Sequence, residues 1–314
     1  MTSPLLDLPG AVAGNGVDAP VPAHYGSFHG EQRTLSQGDG FVDLSHRGVV
    51  RITGPDRLDW LHSLTTQHLL GLAPGEPVTT LVLSPQGHIE HALYGVDDGE
   101  SFTAHVEPGT APALASWLDS MRFLMRVEVA DVTGEIAVAW RPLADDPHGR
   151  YDLVPRARLR EYADAAGPAA GMWAFEALRI ARGEPRPGLD TDHRTIPNEV
   201  GWIERAVHLD KGCYRGQETV ARVHTLGRPP RRLTLLHLDG SDNRLPTQGA
   251  PLTYGEKEIG LVGSSARHHE LGPIALALVK RAVPLDAALV ADGIAAGQEA
   301  VVDPEVGLHV RPTL

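Results

Sequence analysis

Cysteine is almost missing from this 314-residue chain, and the single Cys213 excludes an intrachain disulfide and a self-contained four-thiolate site. No C-x-x-C and no H-E-x-x-H occurs, so the 16 histidines match no zinc signature and no metal site is expected. Lysine is scarce too: Lys211, Lys257 and Lys280 are the only ones, and every other basic residue is arginine. No Lys or Arg precedes Arg33, and no apolar run approaches the roughly 20 residues of a membrane span. A secretory signal and a membrane partner are therefore not expected, and the cytoplasm is the expected location. Positive charge is in deficit, 28 Lys+Arg against 40 Asp+Glu, and the resulting −12 argues against direct nucleic-acid binding over the whole surface.

What remains is ordinary globular material, 42% hydrophobic and 22% charged, long enough for two or three domains at roughly 100–200 residues each. Residues 1–38 are rich in Gly, Pro, Ala and Asp without a sustained period and read as a flexible N-terminal extension, either a mobile tail or loosely docked. From Phe41 a strand or hairpin is expected, then a helix opening at Gly54-Pro55-Asp56. Strands follow around Val78–Leu83, His88–Val96, Ser101–Val106, Val127–Val129 and Glu135–Trp140, with a helix from about Pro112 to Leu124. Met172, Phe175, Leu178 and Arg179 mark a further helix that stops at Gly183 and Pro185. Short Val/Leu/Ile segments between Gly and Pro clusters beyond residue 230 indicate a small all-β domain. The class is α+β, with an α+β region over 39–229 and a β domain over 230–314.

The most chemically loaded stretch is Lys211-Gly212-Cys213-Tyr214-Arg215-Gly216-Gln217-Glu218. Its glycines permit a sharp turn, and Lys211 and Arg215 can stabilise a thiolate at Cys213. A free cysteine is equally a small buried hydrophobe. His208 and His224 are near in sequence for a Cys-His pair, with nothing to fix their geometry. His88, His91 and the pair His268-His269 are unspecific. Residues 211–232 hold six Lys/Arg and one Glu, +5, which leaves −17 on the rest of the chain. Such a segment suits a small polyanion, a carboxylate tail or one nucleic-acid contact, or else a set of arginines paired with nearby carboxylates.

The motif KGCYRGQETVAR resembles the signature of the YgfZ family, folate-binding-like relatives of the glycine-cleavage aminomethyltransferase. The blocks FVDLSHRGVVRITGPDRLDWLHSLTTQ, LAPGEPVTTLVLSPQGHIEHAL and LRIARGEPRPGLDTDHRTIPNEVGW resemble the same superfamily, so the likeness runs from about residue 41 to the end. It implies two interleaved α+β portions, partly ferredoxin-like, around a central folate-sized cavity, followed by a C-terminal β-barrel. It implies tetrahydrofolate as cofactor, with Lys211 and Cys213 as reactive groups and Tyr214, Gln217 and Glu218 beside the pterin. Arg222 is the choice for the folate carboxylate tail, against a structural salt bridge, and Trp202 is a cavity wall or a core aromatic.

Two departures separate this chain from true aminomethyltransferases. Their paired aspartates after Pro-Gln-Gly align with His91 and Ala92, beside Glu90, and their pterin-contacting glutamate in R-L-E-A-G aligns with Ala181. No glycine-cleavage activity is expected. The resemblance to the YgfZ branch implies an accessory role in assembly, maintenance or repair of iron–sulfur proteins, tRNA-modifying enzymes among them, with iron–sulfur client or assembly proteins as partners. The competing reading is a tetrahydrofolate-dependent aminomethyl or methyl transferase or demethylase; a third is a pure binding module in which Cys213 only packs.

Overall fold

The computed structural model describes residues 1–307. The chain opens with β1 (Val12–Ala13) and β2 (Pro22–His24), a short antiparallel pair, followed by α1 (Phe28–Ser36). This segment is docked, not a flexible extension. Leu5, Val21 and Leu35 are buried, and Leu5 packs with Phe41, Ala137 and Ala139. Glu31 accepts backbone N–H bonds from Tyr25 at 2.8 Å and Gly171 at 2.9 Å. Its anchors are single residues spaced far apart, which leaves no periodicity for sequence reading to detect.

Next come β3 (Phe41–Asp43), β4 (Gly48–Thr53), α2 (Arg57–Leu64), β5 (Pro77–Leu83), β6 (Ile89–Asp97), β7 (Ser101–Val106) and α3 (Ala111–Ser120). They continue into β8 (Glu128–Asp131), β9 (Ile136–Arg141), β10 (Arg150–Pro155), α4 (Leu159–Ala165), β11 (Ala169–Ala170) and α5 (Met172–Ala181). These strands build a five-stranded sheet in the order β5-β6-β7-β4-β8 and a four-stranded sheet in the order β10-β9-β3-β11. Because β3 and β4 are consecutive in sequence yet join different sheets, the two portions interleave. The five-stranded sheet packs on α2 and α3 through Trp60, Leu61, Leu114 and Leu118, and the four-stranded sheet packs on α5 through Trp140 and Phe175.

After α6 (Gln217–Thr225) the chain forms a closed six-stranded barrel from β12 (Arg231–Leu238), β13 (Pro251–Tyr254), β14 (Lys257–His268), β15 (Gly272–Lys280), β16 (Leu289–Ala291) and β17 (Ile294–Ala300). Strand β15 shows why the sequence IALALV is apolar at every position. Ala275, Ala277 and Val279 face the barrel interior, whereas Ile274, Leu276 and Leu278 face outward into a second core shared with β5, α5 and α6. The architecture is thus mixed α+β with a C-terminal barrel, as the sequence led us to expect.

A buried ionic network ties these layers together. Arg186 contacts Asp18 at 3.0 Å, Glu107 at 2.8 Å and Glu176 at 3.1 Å, and Arg179 contacts Asp190 at 2.9 Å and the barrel residue Ser264 at 2.5 Å. One network thereby joins the N-terminal segment, a sheet, α5 and the barrel.

Candidate functional site

A cavity of about 850 Å³ lies between the two sheets, within the size range of small-molecule sites. The five-stranded sheet contributes β5, Tyr94 of β6 and His105 of β7; the 143–149 loop and Tyr151 of β10 close the opposite side; Glu184, Arg205 and His208 come from the segment joining α5 to α6. The register explains its aromatic floor. Tyr94 and His105 are directly opposed across the β6–β7 ladder, and their rings stack at 5.0 Å with an interplanar angle of 14°. Tyr151 reaches across from the other sheet to 4.3 Å from His105.

Beneath these rings lies Arg47, buried in the connection between β3 and β4. Its guanidinium is 5.9 Å from the Tyr94 ring centre and 5.6 Å from that of Tyr151, and it meets His105 Nδ1 at 3.3 Å and Glu107 at 3.5 Å. Burial, followed by the Arg47 charge, pushes the His105 imidazolium well below its usual range, so the ring is neutral. Burial also raises the Tyr94 and Tyr151 phenols. On the wall, Glu184 accepts from Arg205 at 2.5 Å and faces His148 at 3.4 Å and Arg182 at 3.4 Å. Burial alone would raise this carboxyl, but His148 and the two arginines hold it well below the usual carboxylate range.

The cysteine motif occupies a neighbouring place. Its turn is clamped to the Ser84-Pro85-Gln86-Gly87 hairpin between β5 and β6: Gly216 has φ +82°, and a Cβ there would lie 2.5 Å from Ser84 O and 2.8 Å from Gly87 Cα. Only glycine fits. Lys211 is buried and donates to the carbonyls of His62 and Thr65, which end α2, while its ammonium sits 5.1 Å from the Tyr214 ring centre. Burial pushes that ammonium down to about 8 and the Tyr214 phenol up to about 12. Cys213 is exposed, so the buried-hydrophobe reading does not describe it.

The structure therefore brings Lys211 and Tyr214 together beside an accessible thiol. Gln217, Glu218 and Arg222 are carried by α6, with Glu218 and Arg222 exposed, and Trp202 is buried in the core shared with the barrel. None of these motif residues, Trp202 included, lines the 850 Å³ cavity. His208 does, and with His62 and His68 it forms a row of rings at 4.9 and 5.3 Å. The basic segment is dispersed rather than concentrated: Arg215 pairs with Glu90, Arg228 with Glu305, Arg231 with Asp192 and Glu199, and Arg232 is bound to Val283 O and Gln298. Three of the six cations pair with carboxylates, and Lys211 and Arg232 bond carbonyl oxygens, so the +5 is not gathered into one polyanion site. Arg222 alone of the six has no partner among the described residues. Sequence reading missed Arg47, Tyr94, His105, Tyr151, Glu184 and Arg205.

Among the described residues no group of three or more His, Cys, Asp or Glu is placed to hold a metal ion, and no helix is long and apolar enough to cross a membrane. No family model matches the chain. It is 26% identical to an aminomethyltransferase of Moorella thermoacetica, over 82% of this chain and 83% of that protein. It is 24% identical to an iron–sulfur cluster assembly factor IBA57 homolog, mitochondrial, of Mycosarcoma maydis, over 62% of this chain and 56% of that protein. The crystal structure of the glycine cleavage system aminomethyltransferase T from Bartonella henselae superposes with a TM-score of 0.79, covering 93% of each chain at 18% identity. The chain has the aminomethyltransferase fold, and its relatives include both transferases and a cluster assembly factor.

Proposed function

We propose that this protein binds a tetrahydrofolate-type ligand in its central cavity and supports the assembly, maintenance or repair of iron–sulfur proteins, in the manner of the YgfZ branch, with tRNA-modifying enzymes among its clients. The observation that carries the ligand is the aromatic floor of a cavity of about 850 Å³, where Tyr94 and Tyr151, both packed against the buried His105, offer ring faces to a planar heterocycle. The donor set fits a pterin: ring faces for stacking, the Glu184 carboxylate on the wall for amino groups, and Arg150 and Arg205 at the lining for a carboxylate tail. When bound, tetrahydrofolate supplies a carrier for one-carbon units. Tetrahydrofolate should quench intrinsic fluorescence saturably, and Tyr94→Ala with Tyr151→Ala should weaken binding by about 10-fold or more. Unchanged affinity in the double variant removes the cavity from the reading.

The accessory role is supported by the likeness to the assembly factor and by the exposed Cys213. One thiol cannot enclose a cluster of the usual kind, but it can complete the ligand set of a cluster shared with a client. Deletion of the gene, and Cys213→Ala in its place, should lower the activity of cluster-dependent enzymes under oxidative load. Unchanged activity in both strains overturns it.

A folate-dependent transferase is the second reading, and Glu184 favours it. The carboxylate absent at Ala181 has a counterpart three residues later on the cavity wall. Against it, His91 and Ala92 stand where paired aspartates would be, and Glu90 is exposed and paired with Arg215 at 2.8 Å. Transfer of a methylene unit from an aminomethyl donor to tetrahydrofolate, with release of ammonia and no change in oxidation level, is the result this reading requires.

A further inference from the structure

Buried polar atoms without a partner are rare in folded proteins, and His105 Nε2 is one of them. The imidazole lines the cavity and is 1% exposed. Its other nitrogen, Nδ1, meets Arg47 Nη1 at 3.3 Å. A guanidinium has only donors, so Nδ1 must accept, and the proton of the neutral ring must then sit on Nε2. The groups facing His105 offer no competing arrangement: Tyr94 stacks on it from β6, Tyr151 crosses it from β10, and Glu107 lies beyond Arg47, 3.5 Å from it and shared with Arg186.

We propose that Arg47 is a positioning residue that fixes His105 as a permanent Nε2–H donor in the cavity floor, so that the site selects ligands presenting a hydrogen-bond acceptor, an oxo oxygen, against His105. This rests on the reading of the cavity as a pterin site and adds to it which ring substituent is recognised, and how. An oxo-pteridine satisfies the orphaned donor. The analogue with an amino group in place of that oxygen sets donor against donor, and neither partner can rotate its hydrogen away, because Arg47 blocks the other tautomer. Arg47 touches no ligand in this scheme; it acts through the imidazole, and its charge prevents that ring from gaining a second proton on Nδ1.

Two measurements on the full-length protein test this. Nitrogen-15 NMR of histidine-labelled protein, with His105→Phe to assign the signal, should show His105 with one protonated and one bare ring nitrogen. That signature should stay constant across the pH 5 to 8 range in which ordinary imidazoles titrate. In Arg47→Met, which keeps the apolar stem, the ring should titrate or exchange tautomers. Titration of His105 in the wild-type protein over that range overturns the lock.

The second measurement compares tetrahydrofolate with its diamino counterpart by calorimetry. Wild-type protein should prefer the oxo ligand by about 10- to 100-fold, the cost of an unpaired buried donor. His105→Phe, which keeps a ring in place, should erase the preference. Equal affinity of the two ligands for wild-type protein overturns the selection even though the pterin reading stands. Binding of neither ligand overturns the pterin reading, and the selection falls with it, while the NMR result still decides the lock.

Discussion

Lys211 closes the end of α2 with an ammonium that has two carbonyl partners and, among the described residues, no carboxylate. Its folded value of about 8 lies below the roughly 10.4 of a free lysine, so between those values the unfolded chain binds more protons than the folded one. Stability contributed by this group therefore rises as pH increases from about 8 to about 10.4. Urea midpoints of wild-type protein and Lys211→Met should converge or cross in the wild type's favour over that window; parallel profiles would show that the ammonium is not desolvated. The motif holding Lys211 and Cys213 stood out in the sequence because rare residues cluster there in one unbroken run, although neither lines the cavity. Arg47, Tyr94, His105 and Tyr151 did not stand out, because each comes from a different strand or turn and a lone polar residue in a strand normally points to water. Only the β6–β7 register and the approach of the second sheet bring them together.

Elements were easier to read than sites. Helix α5 spans the Met172–Ala181 stripe and stops before Gly183, and strand β7 occupies the expected Ser101–Val106 run, since burial and propensity agree there. The turn before α6 was legible only as permissive; what it permits is direct backbone contact with the β5–β6 hairpin. Gly216→Ala should lose about 2–4 kcal/mol of stability, combining a left-handed residue with a clash against Ser84 O that neither backbone can relieve. Chemical denaturation measures this. Gly212→Ala is the control, because a Cβ at that position meets nothing within 4 Å.

For the molecule as a whole, the N-terminal segment is fastened by charge. Asp18 is held well below the usual carboxylate range; burial opposes this, and His46 at 2.8 Å with Arg186 at 3.0 Å overcomes it. A lowered folded value means the stabilisation is present above the unfolded value of about 3.9 and is lost as pH falls through and below it. Asp18→Asn should therefore cost about 1–3 kcal/mol near neutrality and progressively less in acid. A constant difference from neutral pH down to about pH 3 would show that Asp18 contributes packing rather than charge.

The core that β12 and β15 share with β5, α5 and α6 has one more outcome. The peptide between α6 and the barrel, residues 226–230, is the covalent bridge, yet Arg179 to Ser264 and Arg231 to Asp192 and Glu199 cross the same boundary without it. A single cut there would leave a nicked protein that stays whole, and the two pieces, made separately, would have matching apolar faces through which to find each other. The barrel is less an appended module than the second half of a split whose join happens to be a peptide bond.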